Sequence, residues 1–220
     1  MKILDIYRKY KIMPSLQLHM LRVAGVSTII CDNFQGFALD KTSIVTSSLL
    51  HDMGNIIKFD LTKFPEFLKP KGLDYWQEIK KEFIEQYGDN ESVASELIAE
   101  EIGVSPQVKK LIQATSMSSS EQNFLTKDFG KKICDYADNI IGPFGVLSLE
   151  GRLLDFKKRY QDQFPADKDR RNFELLSKYA REVEQQIFEH CRISPEEITN
   201  ESVSDTIDSL KSFVVPKRPQ

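Results

Sequence analysis

Apolar residues recur every three to four positions over long stretches of this chain, and period-two alternation between turns is scarce, so the pattern predicts an all-α fold. Ile3, Ile6, Tyr7 and Tyr10 share one side of a short helix over residues 2–11. Pro14 suits the first turn of the next helix, which the periodicity carries to about Asn33. In it Leu16, His19, Val23, Val26 and Ile30 form one face, so His19 points to the core side, where a polar group must be paired or ligated. Gly36 breaks the chain, and Asp40 is a suitable N-cap for a helix from Lys41 to His51. Ile44, Val45, Ser48, Leu49 and Asp52 share its face, and Gly54 stands at a C-cap position. His51 and Asp52 therefore fall where an apolar run gives way to a loop.

Pro65, Pro70 and Gly72 mark residues 55–73 as loop and short turns. Asp74 to Tyr87 reads as an amphipathic helix with Trp76, Ile79, Phe83 and Ile84. Asn90 caps a further helix carrying Val93, Leu97 and Ile98, which Gly103 closes, and Ser105-Pro106 opens the next. Residues 116–122 are expected to be a polar, serine-rich loop. Asp128 caps a helix through KKICDYADNII that stops before Gly142-Pro143. Beyond about residue 147 the helical pattern is more charged: GRLLDFKKRYQDQF, then Arg171 to His190, then a helix start at Ser194-Pro195, with VVPKRPQ expected to fray. Residues 1–147 are read as the main helical domain and 148–220 as a helical extension packed on it. No internal repeat is evident.

Composition is that of an ordinary globular protein, 40% apolar and 29% charged over 220 residues, enough for one sizeable domain with a core. The net charge of -3 argues against general nucleic-acid binding, which calls for a basic surplus. Lys157, Lys158, Arg159, Lys168, Arg170 and Arg171 are interleaved with acids and read as a solvated helical face. No apolar run reaches the 18 residues of a membrane span, and MKILDIYRKYK lacks the apolar stretch of a secretory signal. Cys31, Cys134 and Cys191, three in number and without a paired motif, are expected to be free core thiols of a reducing compartment, with the cytoplasm as the expected location.

Candidate chemistry centres on the three histidines, His19, His51 and His190. Imidazole and carboxylate are ligands for divalent ions such as Zn, Fe, Mn, Co, Ni and Mg. His51 and Asp52 at a helix end can both turn to one ion, because the backbone there is released from the helical step. On its own evidence a lone inward histidine such as His19 is more often a hydrogen-bonded core residue than a ligand. A later carboxylate would complete the set, and Asp135 and Asp138 both border the stripe of Ile133, Ala137 and Ile141.

The combination of His19, SSLLHDMGN and DYADNII resembles the HD-domain superfamily of metal-dependent phosphohydrolases, over about residues 14–145. The resemblance implies an HD-domain-like helical bundle holding one divalent metal ion with His19, His51, Asp52 and an aspartate of an Ala-Asp pair. That pair is Ala137-Asp138, which favours Asp138 over Asp135. Asn55 stands where the family commonly has lysine. The extra histidines of two-metal members are missing: Glu91 and Thr115 occupy those positions, and residues 53–189 contain no histidine, so one metal is expected.

The resemblance further implies hydrolysis of a phosphate ester, a nucleotide among the candidates, by a metal-activated water, with Asp52 both ligand and orienter of that water. Phosphate calls for cations: Arg22, one turn past His19, and Lys58, past the His-Asp turn, are the expected substrate contacts. Glu91 or Asp89 could reach the cavity as a general base. The stretch IIKFDLTKF with Trp76 reads as pocket wall or core. The expected partner is a small phosphorylated molecule, with neither nucleic acid nor membrane, and a homodimer is compatible with apolar helix faces left over. The competing reading is a noncatalytic or regulatory HD-like module that binds a ligand or a protein.

Overall fold

The computed structural model describes residues 1–160 and 167–218. The fold is all-α, with one two-stranded hairpin among the described residues. Eleven α-helices follow in order there: α1 (Ile3–Lys9), α2 (Pro14–Asn33), α3 (Lys41–Leu50), α4 (Leu73–Tyr87), α5 (Glu91–Ile102), α6 (Pro106–Gln113), α7 (Ser120–Leu125), α8 (Phe129–Asn139), α9 (Leu149–Tyr160), α10 (Asp167–Phe188) and α11 (Asn200–Lys211). No helix is long and apolar enough to cross a membrane.

Local chemistry sets most of the boundaries. Pro14 is the first residue of α2. The Asp40 carboxylate accepts the Ser43 N–H at 3.0 Å, Asn90 accepts from Ser92 and Val93, and Asp128 accepts from Gly130 and Lys131, each filling orphan donors of a first turn. Gly103 ends α5 in the left-handed region at φ 82°, which a side chain would resist. Asp135, Lys132 and the stripe of Ile133 and Ala137 are all buried on α8.

α2 is the axis of the molecule. It packs against α3, α8 and α11, and it contributes to two apolar clusters. Met20, Leu21 and Ala24 belong to one, with α1, α4, α5 and Leu49 and Leu50 of α3. Val23, Val26 and Ile30 belong to the other, with α8, α9, α10 and Val203 of α11. The contact with α11 is close: a Cβ on Gly25 would lie 2.6 Å from Thr206 Oγ1 and 3.0 Å from Val203 Cγ1. The Ser27 and Ser48 hydroxyls, 2.8 Å apart, fix α2 against α3 in an otherwise apolar contact.

Four expectations are corrected. Gly54 is not a left-handed C-cap: its φ is -92°, and it leads into a 3-10 turn over Asn55–Lys58. Residues 116–122 are not a polar loop but a 3-10 turn (Met117–Ser119) and the start of α7, with Ser120 buried. The α8 pattern ends at Asn139, and Ile141 and Gly142 pair with Val146 and Gly145 in an antiparallel hairpin. Residues 214–218 are not frayed: Val214 bridges Lys2, the Val215 N–H donates to Met1 O at 3.0 Å, and the Arg218 N–H donates to Gly103 O at 2.8 Å. Gln161, Asp162, Gln163 and Phe164 of the charged helical stretch, and Pro219 and Gln220, lie outside the described residues. Lys157, Lys158 and Arg171 are exposed, while the side chains of Arg159, Lys168 and Arg170 lie outside the description. The three cysteines are free thiols; burial pushes Cys31 and Cys134 up to about 12, which leaves both protonated and unreactive at neutral pH.

Candidate metal centre

His19 is one turn into α2, half-buried, on the side facing the end of α3. His51 caps α3 with helical backbone angles and is buried. The last carbonyls of a helix have no intrahelical partner. Here the Tyr7 hydroxyl donates to Leu49 O at 2.7 Å, and His51 Nδ1 lies 2.9 Å from Ser48 O. A carbonyl only accepts, so this contact puts a proton on Nδ1, and in the neutral ring His51 Nε2 then carries the lone pair.

That lone pair faces the other candidates. His51 Nε2 is 3.4 Å from His19 Nε2 and 3.4 Å from Asp138 Oδ1, and His19 Nε2 is 3.1 Å from the same Asp138 oxygen. Asp52 stands beside this trio with one oxygen 3.4 Å from His19 Nε2 and the other 3.6 Å from His51 Nε2. Metal bonds of about 2.0–2.2 Å place neighbouring donors about 3.0–3.5 Å apart around one ion. The observed separations fit that spacing, and His19, His51 and Asp138 form a group that could hold a metal ion. Asp52, whose oxygens are shared between the two imidazoles, borders the group.

The imidazoles and the carboxylates shift one another's ionisation. Burial works against ionising every member, yet the imidazoles outweigh it and hold Asp138 well below the usual carboxylate range and Asp52 below its ordinary value. In turn, burial lowers His19, but hydrogen bonds to Asp138 and Asp52 and their charges hold its pKa up at about 9. His51 is raised as well, burial being overcome chiefly by the Asp52 charge and the Asp138 hydrogen bond. Two carboxylates converge on two imidazoles, and either protons or a divalent ion must balance them.

The turn between His51 and α5 is built for close approach. A Cβ on Gly54 would lie 2.5 Å from Glu91 O, 2.7 Å from Ala94 Cβ and 2.9 Å from Ser95 N. The Gly54 N–H donates to the buried Ser95 hydroxyl at 2.9 Å. The glycine is there for packing, not for backbone angle.

Asp135 is separate from this group. It is 1% exposed, takes the Asn139 amide at 3.1 Å, and lies 3.5 Å from the Ser120 hydroxyl. Burial pushes its carboxyl up to about 8, against hydrogen bonds from Asn123, Asn139 and the Ser116 backbone and with help from the Asp138 charge.

Arg22 is half-buried, its pKa is lowered by burial, and its guanidinium has no hydrogen bond or ion pair among the described residues. Lys58 is exposed and 3.6 Å from Glu91, so these two pair with each other. Asp89 is exposed, and Thr115 donates to Leu111 O. Trp76 is core, its indole N–H donating to Leu68 O at 3.0 Å. His190 is apart from the group, stacked on Phe34. The Ser48 carbonyl, the Tyr7 hydroxyl and Ser95 support the site without any signal in the residue pattern.

Comparison of the chain with protein-family models, with curated proteins and with solved structures gives no match.

Proposed function

We propose that this chain is an HD-domain-like, metal-dependent phosphohydrolase that cleaves a phosphate ester at a single divalent ion. The observation that carries the reading is the convergence of His19 Nε2, His51 Nε2 and Asp138 Oδ1, all within 3.4 Å of one another, from α2, the end of α3 and the end of α8. The residues that would hold the ion are His19, His51 and Asp138, with Asp52 as a fourth.

A divalent ion so bound supplies a water of lowered pKa and a Lewis acid for a phosphoryl oxygen. Ser48, through its carbonyl, keeps the His51 proton on Nδ1 and so keeps Nε2 available. Asp52, with one oxygen toward each histidine, is placed to accept a proton from a nucleophilic water. Arg22 offers a guanidinium without an ion pair among the described residues, one turn from His19, the chemistry that a phosphate dianion requires. Lys58, engaged by Glu91, is the weaker candidate for that contact.

The reading is tested by a screen of phosphomonoesters, cyclic nucleotides and nucleotides with Mn, Co, Ni, Fe, Zn or Mg, with His51→Ala alongside. Turnover that needs a metal and disappears in the variant is the expected result. A tightly bound ion with no turnover of any ester would sink hydrolysis and favour the noncatalytic module.

A further inference from the structure

Helix α1, the end of α5 and the C-terminal segment border a cavity of about 90 Å³ that shares no lining residue with the metal centre. Main-chain pairing fixes its walls. The Ile3 N–H donates to Phe213 O at 2.9 Å, and the Arg218 N–H donates to Gly103 O at 2.8 Å. The C-terminal segment is thus tied to the start of α1 on one side and to the residue that closes α5 on the other.

One part of the lining is apolar: Ile6 and Val215, both buried, with Ile102. An apolar cavity of about 150 Å³ takes one benzene ring, so this one has room for about four carbon atoms. The rest of the lining is charged. Glu101 stands in the last turn of α5, at the helix end whose partial negative charge favours a cation. The Tyr10 and Tyr87 hydroxyls both donate to its Oε2, at 3.1 and 3.2 Å. Burial and the Glu101 carboxylate push both phenols up, Tyr87 to about 12, so both stay donors at neutral pH. The carboxylate is therefore oriented through one oxygen, and Oε1 has no hydrogen bond among the described residues. Lys9 and Lys217 also line the cavity. Lys9 Nζ donates to the Tyr10 hydroxyl at 3.3 Å, and neither lysine forms an ion pair among the described residues.

Small-molecule sites join an apolar wall to a few placed polar groups. Here those groups are of both signs, a fixed carboxylate and two ammonium groups. A simple anion would meet Glu101, and a simple cation would meet the lysines. A ligand that satisfies the whole lining carries an ammonium, a carboxylate and a short aliphatic chain. We propose that this cavity binds a free aliphatic α-amino acid of the size of leucine or valine. Its ammonium pairs with Glu101, its carboxylate with Lys9 and Lys217, and its side chain packs on Ile6, Ile102 and Val215.

The test is calorimetric titration of the full chain with L-leucine, beside two analogues that each lack one charge. These are 4-methylpentanoate, without the ammonium, and 3-methylbutylamine, without the carboxylate. L-alanine and L-tryptophan test the size of the cavity. Leucine should bind with at least tenfold higher affinity than any of the four. Glu101→Gln keeps an acceptor for both tyrosines, and it should weaken leucine at least tenfold while leaving 4-methylpentanoate as strong or stronger. Lys217→Ala, at an exposed position, should weaken leucine and leave 3-methylbutylamine unchanged. Circular dichroism of both variants should match that of the unaltered chain. No binding of leucine at millimolar concentration overturns the proposal, as does leucine binding that survives Glu101→Gln. Equal or tighter binding of 4-methylpentanoate or of inorganic phosphate by the unaltered chain also overturns it and makes the cavity an anion site.

Discussion

Asp138 Oδ1 lies 3.1 Å from His19 Nε2, whereas Asp135, one turn earlier on α8, is turned into the protein and takes the amide of Asn139 at 3.1 Å. The same helix thus presents one carboxylate to the histidines and hides the other. Asp138→Ala should weaken divalent-ion binding by about 100-fold or more, since even the outer partners of a metal site are worth 10- to 100-fold. Asp135→Asn should leave it within about tenfold. Titration calorimetry of both variants decides between the two aspartates, and the reverse order of effects would move the last ligand to Asp135.

Asp135 also carries a pH signature. Its carboxyl is pushed up to about 8 in the folded chain, against about 3.9 in an unfolded one. The folded state therefore holds a proton that the unfolded state has lost between those values. Stability contributed by this proton is full below about pH 4 and is lost as pH rises toward 8. Melting temperatures of the metal-free chain between pH 5 and 8.5 should fall more steeply than those of Asp135→Asn, whose amide does not titrate. Parallel profiles would remove Asp135 as the source.

What the residue pattern revealed and what it hid divide along a physical line. Caps at Asp40, Asn90, Ser105 and Asp128 act within one turn, so the local residue order alone locates the starts of α3, α5, α6 and α8. Helical periodicity also put His19 on the inner side of α2. Gly54 looks like a C-cap because its real reason is the approach of α5, some forty residues on, and nothing local announces a neighbour. Ser120 is buried against α8 for the same kind of reason, and strands two residues long leave no alternation to detect. Asp135 and Asp138 both border a buried stripe, so periodicity cannot say which faces the histidines. Only the Ala-Asp resemblance favoured Asp138, and the structure places that residue among them.

Gly54→Ala should be costly although its backbone angle suits alanine. The added methyl group would meet Glu91 O, Ala94 and Ser95 at 2.5–2.9 Å, and overpacking of this kind costs about 1–3 kcal/mol. Urea unfolding should show a lower midpoint with an unchanged slope, and ion binding should weaken because His51 and Asp52 lead into this turn. A neutral substitution would mean that α5 yields easily.

Arg22→Ala should raise KM for a phosphate ester by about 10- to 100-fold, the worth of a charge-assisted hydrogen bond, without altering ion affinity. Lys58→Ala should change KM by less than about threefold, because Lys58 is exposed and already paired with Glu91. Steady-state kinetics on both variants, beside ion titrations, measures this. A larger effect at Lys58 would exchange their roles.

The place of α2 in both apolar clusters bears on how this molecule could be dissected. A fragment ending near residue 147 would contain every proposed metal ligand. It would also bare Val23, Val26 and Ile30, and the groove at Gly25 where Thr206 and Val203 now sit. Such a fragment would present a sticky apolar strip to its own copies, so self-association is its expected fate. Supplying residues 148–220 as a separate peptide is then the natural way to recover it, with α11 acting as the missing half of a split protein.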